Sequence, residues 1–276
     1  MLRSAPTTDM SDAPMFAGSV PENYDRYLRP LLFEPYAIDL AGRLEVRPAM
    51  RVLELACGTG ILPRALLGRL PGDATLVATD LSEQMLAIAQ QRVSPDQRLA
   101  WQPADAATLP FDDATFDAAL CQFGIMFFPD KGAAMAQWRR ILKKNGQLLF
   151  NVWDALERDR IAQVTHDALG DAFPGRAPKF LTIPFGFHDE EVLQQLVRGA
   201  RFSSVRTERV GARGHSASAR EAAVGLVTGS PMAGELAEAR IPVDEALAVV
   251  EHAIRSEYGA GPLDVPLSAV VVSARA

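Results

Sequence analysis

The 276 residues allow one large domain or two small ones, and 48% hydrophobic with 22% charged residues excludes a chain disordered throughout. Acidic residues outnumber basic ones, 34 to 28, which speaks against general binding of a nucleic-acid backbone. Two cysteines, Cys57 and Cys121, are too few for a disulfide framework or a four-ligand zinc site, and read as buried thiols in a reducing compartment.

No run of about 18 apolar residues occurs, so neither a membrane helix nor a membrane partner is expected. Residues 1–14, with Asp9 and Asp12 and no apolar stretch, do not read as a signal peptide. A flexible tail over 1–15 and a cytoplasmic location are expected.

In chain order, a helix is expected over about 31–44. Short apolar runs of strand length follow at 51–56, 74–79, 98–102, 116–121 and 147–152. Helical spacing separates several of them, at 61–69, at 82–93 with Ser82 as cap, and at 131–142, where Asn145-Gly146 is expected to stop the helix. Strand and helix in alternation predict a parallel sheet covered on both faces. Further on, helices are expected at 157–169, 189–198 and, with breaks at 229–231 and 242, across 218–257. Strands are expected at 203–210 and 266–273.

The most informative stretch is Val52-Leu53-Glu54-Leu55-Ala56-Cys57-Gly58-Thr59-Gly60. A strand that turns into a helix through glycines exposes bare backbone N–H groups to a ligand. The dinucleotide fingerprint would require a third glycine where Pro63 stands, and a pyrophosphate would be repelled by Glu54. The turn therefore favours an ammonium-bearing ligand, with a plain tight turn as the alternative. Asp80 ends the second run, where a carboxylate can accept both hydroxyls of a ribose, and Asp105-Ala106 follows the third, where it can accept an adenine amino group. Turn and cap roles are the ordinary alternative for both. Cys121-Gln122-Phe123 follows the fourth run, so four strand ends carry polar or small residues on one sheet edge.

With Val77-Ala78-Thr79-Asp80-Leu81-Ser82-Glu83-Gln84-Met85-Leu86, Pro103-Ala104-Asp105-Ala106-Ala107-Thr108-Leu109-Pro110-Phe111, and the stretches 116–130 and 138–153, the chain resembles the class I S-adenosylmethionine-dependent methyltransferases. The likeness is to the small-molecule type near the ubiquinone/menaquinone-biosynthesis methyltransferases, and it spans about residues 16–210. It implies an α/β fold, a Rossmann-like seven-stranded sheet of order 3-2-1-4-5-7-6 with the last strand antiparallel and helical lid insertions. It implies S-adenosyl-L-methionine as cofactor. Glu54, Ala56, Cys57, Gly58 and Gly60 would hold its methionine part, and Asp80 the ribose. Leu81 and Met85 would pack beside the adenine, Asp105 and Ala106 address its edge, and Cys121 and Gln122 lie near the sulfonium. The family often has glycine where Ala56 stands, and a methyl group there is tolerable if the backbone keeps φ < 0.

The implied topology makes residues 16–276 one domain and puts three segments, 16–28, 154–188 and 211–265, over the cofactor edge as an apolar lid. Tyr24, Tyr27, Phe173, Phe185 and Phe187 are the candidate acceptor contacts, joined in the lid by Phe180, Leu226 and Met232. Tyr24 is also a candidate gate. His166, His215 and Tyr24 are the weak candidates for a catalytic role; His188 is expected to cap a helix and His252 to be solvated. No metal is expected.

The expected reaction is in-line methyl transfer to a small, largely apolar acceptor on oxygen, nitrogen or carbon. The Asn/Asp-Pro-Pro-Tyr signature of amide or nucleobase methylation is missing after the fourth strand, where Cys121-Gln122-Phe123-Gly124 stands. The alternatives are a non-catalytic cofactor-binding subunit and, less favoured by Pro63 and Glu54, a nicotinamide-dependent oxidoreductase. Apolar lid helices make a homodimer reasonable.

Overall fold

The structure, a computed structural model, describes residues 20–276. The expected tail over 1–15, and residues 16–19 of the expected first lid segment, lie outside the described residues. Seven strands form one sheet in the order β3-β2-β1-β4-β5-β7-β6. They are β1 (Arg51–Leu55), β2 (Thr75–Asp80), β3 (Leu99–Pro103), β4 (Phe116–Gln122), β5 (Leu142–Trp153), β6 (Ser203–Ser216) and β7 (Leu263–Arg275). β1 to β5 pair in parallel, and β7 runs antiparallel to both its neighbours. This is the order that the resemblance implies. The parallel centre has helices on both faces, so Val52, Leu53, Glu54 and Leu55 of β1 are all buried.

Helices α3 (Ile61–Leu67), α4 (Glu83–Arg92), α5 (Lys131–Ile141), α6 (Arg160–Ala172) and α7 (Glu190–Gly199) flank the sheet or leave its edge. Ser82, Asp130, Asp159 and Asp189 each accept a first-turn N–H and so begin α4, α5, α6 and α7. The cap of α7 is therefore Asp189 and not His188, whose Nδ1 lies 2.9 Å from the Phe185 carbonyl oxygen. A carboxylate accepts two N–H groups there, at Glu191 and Val192, which one ring nitrogen cannot do. α5 ends at Ile141, four residues before Asn145, because Leu142 pairs with Phe116 and starts β5. Asn145 instead takes a left-handed turn within β5, and its N–H donates to the Ala276 carbonyl oxygen.

The N-terminal helix begins earlier than expected. α1 (Val20–Asn23) leads into a wide, π-type helix at Tyr24–Phe33, and α2 (Glu34–Gly42) follows. Pro30 has no N–H to continue an α ladder, and the Glu34 N–H reaches back five residues to Arg29.

The last two strands are longer than the 203–210 and 266–273 of the expectation. β5 stops pairing with β7 at Trp153↔Ala269, whereas β6 and β7 continue from Gly211↔Ser268 to Ser216↔Leu263. Six further pairs, about 20 Å at a strand's rise, make a ribbon that stands beyond the sheet edge. Gly211, Gly214 and Pro266 read as punctuation in the sequence, yet each sits within this ribbon. The insertion between the two strands is thus 217–262, and it folds as α8 (Ala219–Thr228), α9 (Met232–Glu238) and α10 (Val243–Tyr258). α10 packs on α6 and α8, and the π-type helix packs on α8 and β6. At Gly214 the ribbon approaches that helix so closely that a Cβ would overlap the Leu31 carbonyl oxygen.

Candidate functional site

The polar half of the site is built at the carboxyl ends of β1 and β2. Glu54 is buried, and its Oε2 has no partner among the described residues. Burial, and then the charge of Asp80, hold its carboxyl well above the usual range. The turn that follows is stapled by Asp80. Its Oδ2 accepts from the Gly58 N–H at 2.8 Å and its Oδ1 from the Ser82 N–H at 2.8 Å. Each oxygen keeps a lone pair for a further donor. Burial raises the Asp80 carboxyl, and these N–H groups work against the rise.

Gly58 and Gly60 are both left-handed, at φ 54° and 81°. Gly58 faces open space, whereas a Cβ at Gly60 would come within 2.8 Å of Val93 and 3.1 Å of Trp101. Thr59 between them is buried, with an unpartnered hydroxyl oxygen.

Ala56 departs from the expectation. Its φ is 53°, so the methyl group is carried in the left-handed region and not at φ < 0. Gly124 opposite makes room, since a Cβ there would lie 2.7 Å from that of Ala56.

The turn contributes backbone more than side chain at Cys57. Its N–H donates to the Thr79 carbonyl oxygen, while its thiol packs with Ala78 and Leu86. Leu81 is 75% exposed beside Asp80. Met85 is buried, and its N–H donates to Ser82 Oγ. Asp105 is exposed and accepts the Ala107 N–H with one oxygen. Ala106 is buried and its carbonyl accepts from the Trp138 ring N–H. Cys121 is fully buried, its thiol pushed up to about 12 by desolvation. Gln122 donates to the Phe33 carbonyl oxygen at 2.8 Å, which ties β4 to the π-type helix.

The apolar half stands at the ends of β4 and β5. Phe123 and Trp153 stack at 3.9 Å with rings 8° apart. Tyr36 meets both edge-on, at 5.4 and 5.6 Å. Phe33 leans on both, and Phe185 stacks on Trp153. Phe123 holds φ 52°, a strained turn for an aromatic residue, fixed by its N–H donating to both the carbonyl and the side-chain oxygen of Asn151. Tyr24 stacks on Phe33 at 4.6 Å. Its hydroxyl is pushed upward by burial and then by the charges of Asp80, Asp25 and Glu54.

Other expected residues lie elsewhere. Tyr27 lines a separate cleft of about 230 Å³ with Arg26, Pro30, His215, Ser216, Ala217 and Glu221. It points away because Tyr24 and Phe33 occupy the inner face of the wide helix. His215 is largely exposed, 3.6 Å from Asp264, and lines that same cleft. His166 is half-buried on α6. Phe173 is buried in the lid core, and Phe187 lies under the Lys131 ammonium at 5.0 Å. Phe33, Tyr36, Phe123 and Trp153 were missed as a set because no spacing rule joins residues so far apart.

These residues fit S-adenosylmethionine. The unpartnered Glu54 carboxylate oxygen suits its ammonium, the Thr59 hydroxyl can meet a carboxylate, and Asp80 keeps acceptors for two hydroxyls. Two carboxylates beside the turn do not suit a pyrophosphate.

A family model described as a methyltransferase domain matches residues 53–150. The ubiquinone/menaquinone biosynthesis C-methyltransferase of Paraburkholderia phymatum is 32% identical over 173 residues, 58% of this chain and 70% of that protein. Its counterpart in Bordetella avium is 37% identical over 123 residues, 44% of this chain and 46% of that protein, so the match to that relative spans about half its length. Among solved structures, a phosphoethanolamine N-methyltransferase of Haemonchus contortus, in complex with phosphomonomethylethanolamine and S-adenosylhomocysteine, has a TM-score of 0.63 at 16% identity. It covers 96% of this chain and 59% of that one, a likeness of fold.

Proposed function

Because the chain belongs to the class I S-adenosylmethionine-dependent methyltransferases, we propose that it methylates a small, largely apolar metabolite by in-line displacement. The observation that carries this reading is the buried Glu54 carboxylate with its unpartnered oxygen at the glycine turn. When bound, S-adenosylmethionine supplies a methyl group on a sulfonium, an electrophile that needs no further activation.

Glu54 and Thr59 hold the amino-acid end, and Asp80 takes the ribose hydroxyls with the lone pairs that Gly58 and Ser82 leave free. Leu81 and Met85 flank the adenine, and the free oxygen of Asp105 with the Ala106 backbone address its edge. The aromatic walls of Tyr24, Phe33, Phe123 and Trp153 exclude water and hold the acceptor in line. Segments 154–188 and 217–262, with the wide helix, act as the lid over this space. Alignment in an apolar site carries the rate.

The relatives' names support a carbon atom of a quinone precursor as the first acceptor to try. The test incubates the protein with labelled S-adenosylmethionine and a panel of demethylated quinols, phenols and amines. Transfer to at least one apolar acceptor is expected. No transfer to any, with S-adenosylhomocysteine still bound, would leave a cofactor-binding subunit in its place.

A further inference from the structure

Two buried carboxylates at the base of the lid are treated very differently. Asp154 is fully engaged, accepting from Arg209 at 2.7 Å, Ser268 at 2.8 Å and the Ala155 N–H at 2.9 Å. Asp159 is equally buried but uses only one oxygen, with which it caps α6 by accepting the Ala162 N–H at 3.1 Å. Its Oδ2 has no partner among the described residues.

A second orphan flanks the same interhelical clamp. Arg160 and Glu257 form a two-pronged ion pair at 2.8 and 2.7 Å, which clamps the start of α6 to the end of α10. The next residue on each side is Asp159 and Tyr258. The Tyr258 hydroxyl is buried and also unpartnered. It is pushed up to about 12, first by burial and then by Glu257 and Asp159. Across from them is Tyr36, whose hydroxyl donates to the Val210 carbonyl oxygen at 3.2 Å and feels Asp159 before any other charge. The Tyr36 ring is the one that meets Phe123 and Trp153 edge-on. The Arg160–Glu257 clamp thus sets both orphans at the junction of α6 and α10, in the segments that follow β5 and precede β7.

We propose that Asp159 and Tyr258 form a polar anchor for a neutral hydroxyl, of the phenol class, carried by the methyl acceptor. This rests on the methyl-transfer reading. Native structures leave few buried polar atoms unpaired, and two neighbours orphaned together mark a place where a ligand completes the bonds. A hydroxyl matches both orphans at once, because it can donate to Asp159 and accept from Tyr258. Burial raises the Asp159 carboxyl to about 7, opposed only by the Ala162 N–H, and the nearby Arg160 and Asp154 are already paired with Glu257 and Arg209.

The experiment uses the full chain saturated with S-adenosylhomocysteine, titrated with 2-naphthol and with 2-methoxynaphthalene, which lacks the donor. The wild type is expected to prefer the naphthol about tenfold, the worth of one buried hydrogen bond. Asp159→Ser keeps a helix cap but removes the free oxygen, and Tyr258→Phe removes one oxygen alone. Each is expected to bring the preference close to one while leaving the affinity for S-adenosylhomocysteine unchanged. Should the serine variant fail to fold, Tyr258→Phe decides. A preference that survives both changes, or a wild type that binds neither compound or both equally, overturns the anchor. If S-adenosylhomocysteine itself does not bind the wild type, the methyl-transfer reading falls and takes the anchor with it.

Discussion

The polar half of the site draws Glu54 and Asp80 from two adjacent strands and Thr59 from the turn after the first, within 27 residues of sequence. The aromatic half draws Tyr24, Phe33, Tyr36, Phe123, Trp153 and Phe185 from four separate segments of the chain. One half is a local device, in which a carboxylate and a few N–H groups fix a turn for a charged ligand. The other is a product of tertiary packing, in which the sheet edge, the wide helix and the lid each contribute a wall. On the proposed reading, recognition of a fixed cofactor and accommodation of a variable acceptor are separated, and substitutions in the two halves are expected to have different signatures.

The largest effect is expected at Asp80. Asp80→Ala removes the acceptor for Gly58 and Ser82 together with the ribose contacts, and each charge-assisted hydrogen bond is worth roughly 1.5–3 kcal/mol. Affinity for S-adenosylhomocysteine should fall by at least about 100-fold in calorimetry. An unchanged affinity would remove Asp80 from the cofactor half.

Gly214→Ala strikes the other half. The new methyl group would overlap the Leu31 carbonyl oxygen, so the ribbon and the wide helix must separate. A loss of about 1–3 kcal/mol of stability is expected in denaturant unfolding, the usual cost of overpacking. No loss would mean that the helix is not held against the ribbon.

The cofactor half was largely legible in the sequence, and the reason is its locality. Gly58, Gly60 and the carboxylates at strand ends mark a turn that favours an ammonium-bearing ligand, and the family resemblance adds the identity of the cofactor. The strain at Ala56 was not legible, because its relief comes from Gly124, 68 residues away. The extension of β6 and β7 was hidden by glycines and a proline that normally end strands but here lie in a two-stranded ribbon. The aromatic box was invisible for the same reason as the ribbon. Phe123 and Trp153 become neighbours only when β4 and β5 pair, and Tyr36 joins them only when α2 docks. Tyr27 shares its segment with Tyr24, but the helix face turns it, with His215 of the ribbon, into another cleft.

A smaller and pH-dependent effect is expected at Glu54. Its folded carboxyl is raised by burial, so the folded protein holds a proton that the unfolded chain releases above about pH 4.3. Stability of the free protein therefore falls as pH rises from there through the raised value, and Glu54→Gln should flatten that slope in thermal melts. Binding has the opposite sign. The cofactor's ammonium needs the ionised carboxylate, so affinity should rise with pH in the same window with release of a proton. Calorimetric heats that do not vary with the buffer's ionisation enthalpy would contradict this pairing.

The smallest effect is expected at Ala56. Ala56→Gly relieves a left-handed alanine, worth about 1–2 kcal/mol, against roughly 0.5–1 kcal/mol for the freer unfolded chain. A net gain of a few tenths of a kcal/mol to about 1 kcal/mol is expected in unfolding experiments, with cofactor affinity little changed.

The division of labour depends most on the polar half, and titration calorimetry of the unmodified protein tests it directly. S-adenosylhomocysteine is expected to bind at micromolar concentration while NAD gives no heat of binding. Binding of NAD, or no binding of S-adenosylhomocysteine at millimolar concentration, would contradict the assignment of Glu54, Thr59 and Asp80.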